Sequence, residues 1–361
     1  MRRIVVIRLS ALGDVVLATP AIAALGQAFP DAHLTWVTSA PYAPLIEGLA
    51  FVDAAVPWDR DAHEGAMGNV RLAEQIRKQS SEPIDLVLDL QNKPRSAILA
   101  RMLAPGRVVT LRKRGFLEAL RAVLGGDRII TRPHTTRLYF RALRDLGVSE
   151  PEGSDPLRPC VFVSEAAREK ARRLLKKDDS SVLLALAPGA KWETKRWPPE
   201  KLGAVGAELL GSGLADDFVL VGGPGEEAVL DSTAKALPRQ PVLNTIDLDP
   251  EHLAAVISDC DILIVGDSGP AHLASAVGTP SVVLFGPTSP SRWGPALADS
   301  RAVGLQLSCS PCSNHGSRSC HLGHHACMVD LDPKDVVAAA SSILERPRPA
   351  RGTLEGMEGR S

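Results

Sequence analysis

The chain has 361 residues, too long for one small core and enough for two domains of ordinary size. Hydrophobic residues make up 45% and aromatic residues only 4%, a globular composition built on Ala, Val, Leu and Ile, as in many α/β enzymes. The formal net charge is −1, and no stretch approaches the roughly 20 apolar residues that a membrane span needs.

Arg2 and Arg3 precede an apolar run that breaks at Arg8, well short of the roughly 7–15 apolar residues of a secretory core. The run predicts a buried strand, Ile4–Ile7, in a soluble cytoplasmic protein. The loop Arg8–Asp14 follows, then an Ala- and Leu-rich helix from Val15 to Ala28. Strand-like runs recur at Leu34–Val37, Asp85–Leu90 and Arg107–Thr110, with helical patterns at Val70–Gln79 and Thr135–Leu146. Ser149–Pro159, with three prolines and a Gly-Ser pair, reads as a linker. Beyond it the scheme repeats, with strands at Val182–Ala187, Phe218–Val221, Val242–Asn244, Ile262–Val265 and Ser281–Phe285. Helices are predicted at Pro199–Leu210, Glu226–Ala236, Pro250–Ser258 and Pro333–Leu344. Alternating strands and helices predict parallel sheets covered on both faces, in domains 1–158 and 159–345, with a disordered tail 346–361. Ligands of such folds sit at the carboxyl ends of the strands, where the chemically unusual loops of this chain fall.

The first such loop is Ser10-Ala11-Leu12-Gly13-Asp14. Gly13 permits a tight turn and sets Asp14 at the helix entrance, as a cap or as a general base aimed at a bound hydroxyl. Ser10 is available as the cap, which leaves Asp14 for other work. In the second half, Pro188-Gly189-Ala190 follows a strand and leads into Lys191-Trp192-Glu193-Thr194-Lys195-Arg196-Trp197-Pro198, glycine and cations suited to a diphosphate. Gly222-Gly223-Pro224-Gly225-Glu226-Glu227 offers carboxylates suited to a ribose diol. Gly266-Asp267-Ser268-Gly269-Pro270-Ala271-His272 joins a buried strand to a helix, aiming backbone N–H groups and the helix dipole at one spot. Asp267 and Ser268 can cap that helix, and His272 can reach the same place. Neither half carries a Walker loop or G-x-G-x-x-G after its first strand, which argues against an ATPase and a dinucleotide dehydrogenase.

Charge is unevenly spread. Lys93–Arg144 holds thirteen Lys or Arg and two acids, a local charge of +11 (13 − 2), read either as solvated helix faces or as a surface for an anionic partner.

The Asp14 loop, Lys195-Arg196-Trp197-Pro198, Gly223-Pro224-Gly225-Glu226, Asp267–His272 and Gly278-Thr279-Pro280 stand in an order that resembles the ADP-heptose:lipopolysaccharide heptosyltransferases, glycosyltransferase family 9. The resemblance covers residues 2–344 and is strongest to heptosyltransferase II-like members. It implies a GT-B fold, two Rossmann-like doubly wound domains facing each other across a cleft, the first for the acceptor and the second for the nucleotide sugar. It implies an inverting heptose transfer from ADP-L-glycero-D-manno-heptose to the lipopolysaccharide inner core, with no metal or other cofactor required for catalysis. By the same resemblance Asp14 is the base and Lys195 holds the diphosphate. Asp267, Ser268, Gly269 and His272 surround the phosphates and sugar, and Glu226, or else Glu227, binds the ribose. The implied partners are ADP-heptose and a lipid A–Kdo or heptosylated acceptor, with transient contact at the inner face of the inner membrane and no nucleic acid. Arg95, Arg112, Lys113 and Arg114 become candidate acceptor contacts, since Arg suits planar anions. Phe116, Leu117, Leu120 and Leu124 form a stripe that faces either the core or the membrane surface.

Cys309-x-x-Cys312, Cys320 and Cys327 have metal-ligand spacing, so the loop holds either a structural zinc or packed free thiols. Cys160 and Cys260 read as core packing. Three rivals remain at this point: a family-9 enzyme with another donor or acceptor, a non-catalytic nucleotide-sugar-binding or metal-regulated scaffold, and a sugar-nucleotide epimerase.

Overall fold

The computed structural model describes residues 1–63, 65–111, 133–153, 155–176, 178 and 180–346. They divide into two compact units, the first reaching Leu111 and resuming at Thr135–Phe162, the second running from Val163 and including Pro133 and His134.

In the first unit β1 (Arg3–Ile7), β2 (His33–Ser39), β3 (Ala54–Trp58), β4 (Leu86–Asp89) and β5 (Arg107–Thr110) form one parallel sheet in the order β3-β2-β1-β4-β5. All of β1 and β4 is buried, as a parallel sheet covered on both faces requires. Val5 and Ile7 of β1 join Val37, Val87, Leu72, Ile76 and Leu99 in one core, which seats the helices Gly65–Lys78 and Pro94–Met102. The strand order reverses between β1 and β4, and this switch point is where the Arg8–Asp14 loop emerges.

The second unit repeats the plan with six parallel strands: β6 (Leu183–Ala187), β7 (Asp217–Leu220), β8 (Leu243–Asn244), β9 (Ile262–Gly266), β10 (Ser281–Leu284) and β11 (Arg301–Val303). Their order is β11-β10-β9-β6-β7-β8, and the reversal lies between β6 and β9. The loops after those two strands carry Lys195 and Asp267. Both units are therefore α/β and Rossmann-like, as expected.

Several local expectations change. The edge strands β3 and β11 were not foreseen: β3 carries exposed Pro57, tolerable only at an edge, and β11 is three residues long. Thr135–Leu146 is not one helix. An α-turn, Thr135–Leu138, gives way to 3₁₀ turns at Tyr139–Ala142 and Arg144–Leu146, ended by Gly147 at φ 77°. Ser149–Pro159 is no free linker either. Buried Arg137 donates from Nη1 to Pro151 O at 2.8 Å and to Glu150 Oε1 at 3.1 Å, and from Nε to Asp155 O at 2.5 Å. The break between units falls beyond the expected boundary, because Phe162 N still bonds Leu45 O at 2.7 Å. The tail after Arg346 lies outside the described residues, and no described helix is long and apolar enough to cross a membrane.

Arg3 shows how β1 organises its surroundings. Its guanidinium, 2% exposed, donates from Nη1 to Ser80 O and Glu82 O at 2.8 Å each and from Nη2 to Ile76 O, closing the C-terminal end of the helix Gly65–Lys78. Replacing Arg3 by Met leaves those carbonyls without their donors. Urea unfolding of Arg3→Met is expected to show a loss of about 2–3 kcal/mol, and an unchanged midpoint would contradict the assignment.

Candidate active site

In the first unit the site is built on the end of β1. Helix Leu12–Ala28 starts from Ala11 with no side-chain cap, so Ser10 does not take the capping role expected of it. Asp14 lies in the first turn, where the helix dipole favours an anion. Arg8, whose side chain is 1% exposed, places Nη2 2.6 Å from Asp14 Oδ1, and the Asp14 side chain is 23% exposed. Tyr139 donates its hydroxyl to the same Oδ1 at 2.9 Å and lies 3.2 Å from the Asp14 carbonyl.

The loop after β4 braces this group. Arg8 Nη1 donates to Leu90 O at 2.7 Å, and Gln91 Oε1 accepts from Leu9 N and Ser10 N at 3.1 and 3.3 Å. Asp89, at the end of β4, accepts from Gln91 N, Asn92 N and Ser96 Oγ at 2.9–3.0 Å. Burial pushes its carboxyl up, against those hydrogen bonds and the charge of Arg8. Arg95 is half-buried, with its guanidinium 4.7 Å from the centroid of the Trp58 ring. Arg112, Lys113 and Arg114 lie outside the described residues, as does the stripe Phe116–Leu124. Arg137, from the same basic stretch, is spent on the Glu150–Asp155 segment as described above.

In the second unit Lys195 and Asp267 come from opposite sides of the switch point. Lys195 Nζ lies 2.9 Å from Asp267 Oδ2, off hydrogen-bond angles, with the side chains 14% and 3% exposed. Gly266 makes this approach possible, since a Cβ there would stand 2.8 Å from Lys195 O. Neither Asp267 nor Ser268 caps the helix Gly269–Val277, contrary to expectation. Asp267 is drawn to Lys195, and Ser268 Oγ is buried without a partner. Gly269 is the first residue of that helix; Pro270 brings no N–H to its start, and Ala271 N bonds Ser268 O at 3.2 Å. His272, in the same helix and 5% exposed, has its ring 6.1 Å from that of Trp293.

Glu226 joins the same edge. Its Oε2 accepts from Gly223 N at 3.0 Å, and its carboxyl group lies against Gly189, where a Cβ would come within 2.2 Å. Glu227 is exposed and folds back onto Gly225 N, so Glu226 is the carboxylate that faces the loop after β6.

The Cys- and His-rich segment packs on the Lys195 loop. Thr194 N and Oγ1 donate to Ser317 O at 3.2 and 2.9 Å, Thr194 Oγ1 accepts from Ser317 N at 2.8 Å, and His325 Nε2 lies 2.8 Å from Thr194 O. Gly316, at φ 88°, fits against the stem of Lys195, whose Cδ would be 2.8 Å from an added Cβ. Burial and the charges of Cys312, Cys320 and Cys309 push the Cys327 thiol up to about 11. Burial and the neighbouring thiols also push Cys312 up, whereas backbone N–H donors pull Cys320 down. Among the described residues, however, no three His, Cys, Asp or Glu side chains stand in an arrangement that would hold a metal ion.

Sequence reasoning missed Arg8, Tyr139, Gln91 and Thr194. The first two lie far apart in the chain, and nothing local marks their convergence on Asp14.

The glycosyltransferase family 9 (heptosyltransferase) model matches residues 70–322. Lipooligosaccharide heptosyltransferase 2 of Campylobacter jejuni is 25% identical over 340 residues, spanning 92% of this chain and 96% of that protein. The solved glycosyl transferase family 9 protein of Veillonella parvula is similar at TM-score 0.79 and 24% identity, over 95% of this chain and 97% of that one. The ADP-heptose lps heptosyltransferase II of E. coli is similar at TM-score 0.74 and 21% identity, over 95% of this chain and 98% of that one. With the family match spanning more than half its length, this chain belongs to glycosyltransferase family 9, the heptosyltransferases, and is a glycosyltransferase.

Proposed function

We propose that the protein transfers L-glycero-D-manno-heptose from ADP-heptose to the lipopolysaccharide inner core, on a lipid A–Kdo or heptosylated acceptor, with inversion at the anomeric carbon. The observation that carries this reading is the buried Lys195–Asp267 pair beside a helix N-terminus without a side-chain cap. A cation on the loop after β6 and the positive end of the helix after β9 suit a diphosphate that gains charge as it leaves. Likeness to a lipooligosaccharide heptosyltransferase and to an ADP-heptose-dependent enzyme supports the choice of donor and acceptor.

In this scheme Asp14 takes the proton of the acceptor hydroxyl as its oxygen bonds to the anomeric carbon. The bond from that carbon to the diphosphate breaks, through a transition state of oxocarbenium character, and ADP leaves with the electron pair. Lys195 and the helix Gly269–Val277 stabilise the charge on ADP. Ser268 and His272 contribute to the same donor site, and Glu226 binds the ribose diol. Arg95, with Arg112, Lys113 and Arg114, meets the anionic groups of the acceptor. The protein works at the cytoplasmic face of the inner membrane, where a lipid-linked acceptor would be presented.

We also propose that Cys309, Cys312, Cys320 and Cys327 draw together on a structural zinc ion. Their ligand spacing, Cys-x-x-Cys with two further cysteines in the same segment, supports it. The ion would fix the segment that holds Thr194 and the Lys195 stem.

Three experiments test these assignments. Asp14→Asn should bind ADP-heptose normally while transfer falls at least roughly 10²-fold; retained transfer would remove Asp14 from the role of base. Calorimetry with ADP should show Lys195→Ala binding roughly ten- to hundredfold more weakly, and equal affinity would end the diphosphate assignment. Elemental analysis of the purified protein should find about one zinc per chain, lost in a Cys312→Ser/Cys320→Ser variant. A folded protein free of transition metal would refute the zinc site.

A further inference from the structure

We infer that Tyr139 is a positioning residue for the general base, acting on the reaction only through Asp14. This inference rests on the reading of Asp14 given above.

Tyr139 belongs to the short 3₁₀ turn that packs against the helix Leu12–Ala28 and is 1% exposed. Packing alone would be served by phenylalanine, as it is at the neighbouring Phe140, also 1% exposed. What distinguishes Tyr139 is the hydroxyl, which reaches out of the core to a carboxylate still in contact with solvent. Two donors, Arg8 Nη2 at 2.6 Å and Tyr139 Oη at 2.9 Å, converge on Asp14 Oδ1. One donor fixes a distance. Two donors on one oxygen, approaching from different elements, fix the rotation of the carboxylate about its own axis as well.

The donors are themselves fixed. Arg8 is tied to Leu90 O at 2.7 Å, and its guanidinium carbon lies 5.7 Å from the centroid of the Tyr139 ring. The three side chains therefore brace one another, and of the three the carboxylate is the partly exposed one.

The two donors have opposing effects on catalysis. Hydrogen bonds to the charged form of a carboxylate weaken it as a base. They also aim it, and a general base acts only within hydrogen-bond reach of the proton it removes. If aiming outweighs lost basicity, removing the hydroxyl slows the reaction; if basicity outweighs it, removal speeds the reaction. Two fixed donors converging on one oxygen point to aiming.

The test is a cycle of Tyr139→Phe and Asp14→Asn, assayed for transfer with ADP-heptose and the preferred acceptor. Phenylalanine keeps the buried ring, so the fold is preserved. Tyr139→Phe is expected to lower kcat roughly tenfold, the lower end for a hydrogen bond to a charged group, with KM for both substrates unchanged. Placed on Asp14→Asn, it should cause no further loss. A kcat at or above the starting value overturns the proposal, and so does an equal fractional loss in both backgrounds, which would place the effect of Tyr139 elsewhere. Full transfer by Asp14→Asn alone would overturn the base assignment itself, an outcome separable from the others.

Discussion

A guanidinium buried in a protein stays charged and must meet enough acceptors, backbone carbonyls for Arg3 and a carboxylate besides for Arg8. Arg8 meets that requirement at the end of β1 with Asp14 Oδ1 on one nitrogen and Leu90 O on another. The constraint sets much of the first unit. It holds an anion at the start of the helix Leu12–Ala28, where the helix dipole also favours one, and it ties the loop after β1 to the loop after β4 across the switch point. Gln91 repeats the tie through two backbone N–H groups. Asp14 is thus ion-paired from the core side and partly open to solvent.

The second unit solves a similar problem with the charges exchanged in role. Asp267 is the more deeply buried member of its pair, and Lys195 reaches it from the loop after β6. Glycines set the close approaches: Gly266 beside the Lys195 backbone, Gly316 beside its stem, Gly189 beside the Glu226 carboxyl group. At each of them an added Cβ would stand less than 3.0 Å from that neighbour. Because Thr194 is bonded to Ser317 and His325, the position of Lys195 depends on the Cys- and His-rich segment. That segment is thus part of the immediate surroundings of Lys195.

Much of this was legible in the sequence, for identifiable reasons. Buried parallel strands are continuous apolar runs, and both central strands, Ile4–Ile7 and Ile262–Val265, show that pattern without interruption. Loops that follow such strands stand at the ligand-bearing edge, so Asp14, Lys195, Glu226 and Asp267 could be singled out before any coordinates. The edge strands were illegible because one contains proline and the other is too short to show a period. The segment Thr135–Leu146 looked helical by pattern, yet with Thr135, Thr136, Arg137, Leu138, Tyr139 and Phe140 all buried it winds as short tight turns. Caps were misjudged where tertiary charge pairing took the capping residue away, as Lys195 takes Asp267. Tyr139 and Arg8 could not be linked to Asp14 from spacing, since their meeting is a product of the whole first unit.

The proposed reaction is an inverting heptose transfer with Asp14 as base and Lys195 on the diphosphate. The most direct measurement incubates the purified protein with ADP-heptose and either Kdo₂-lipid A or its mono-heptosylated form, then determines the anomeric configuration of the product by NMR. If this mechanism holds, ADP is released and one heptose of inverted configuration is added to one of the two acceptors, and the preferred acceptor identifies the step. A retained configuration, or ADP-heptose bound while both acceptors stay unmodified, would contradict it.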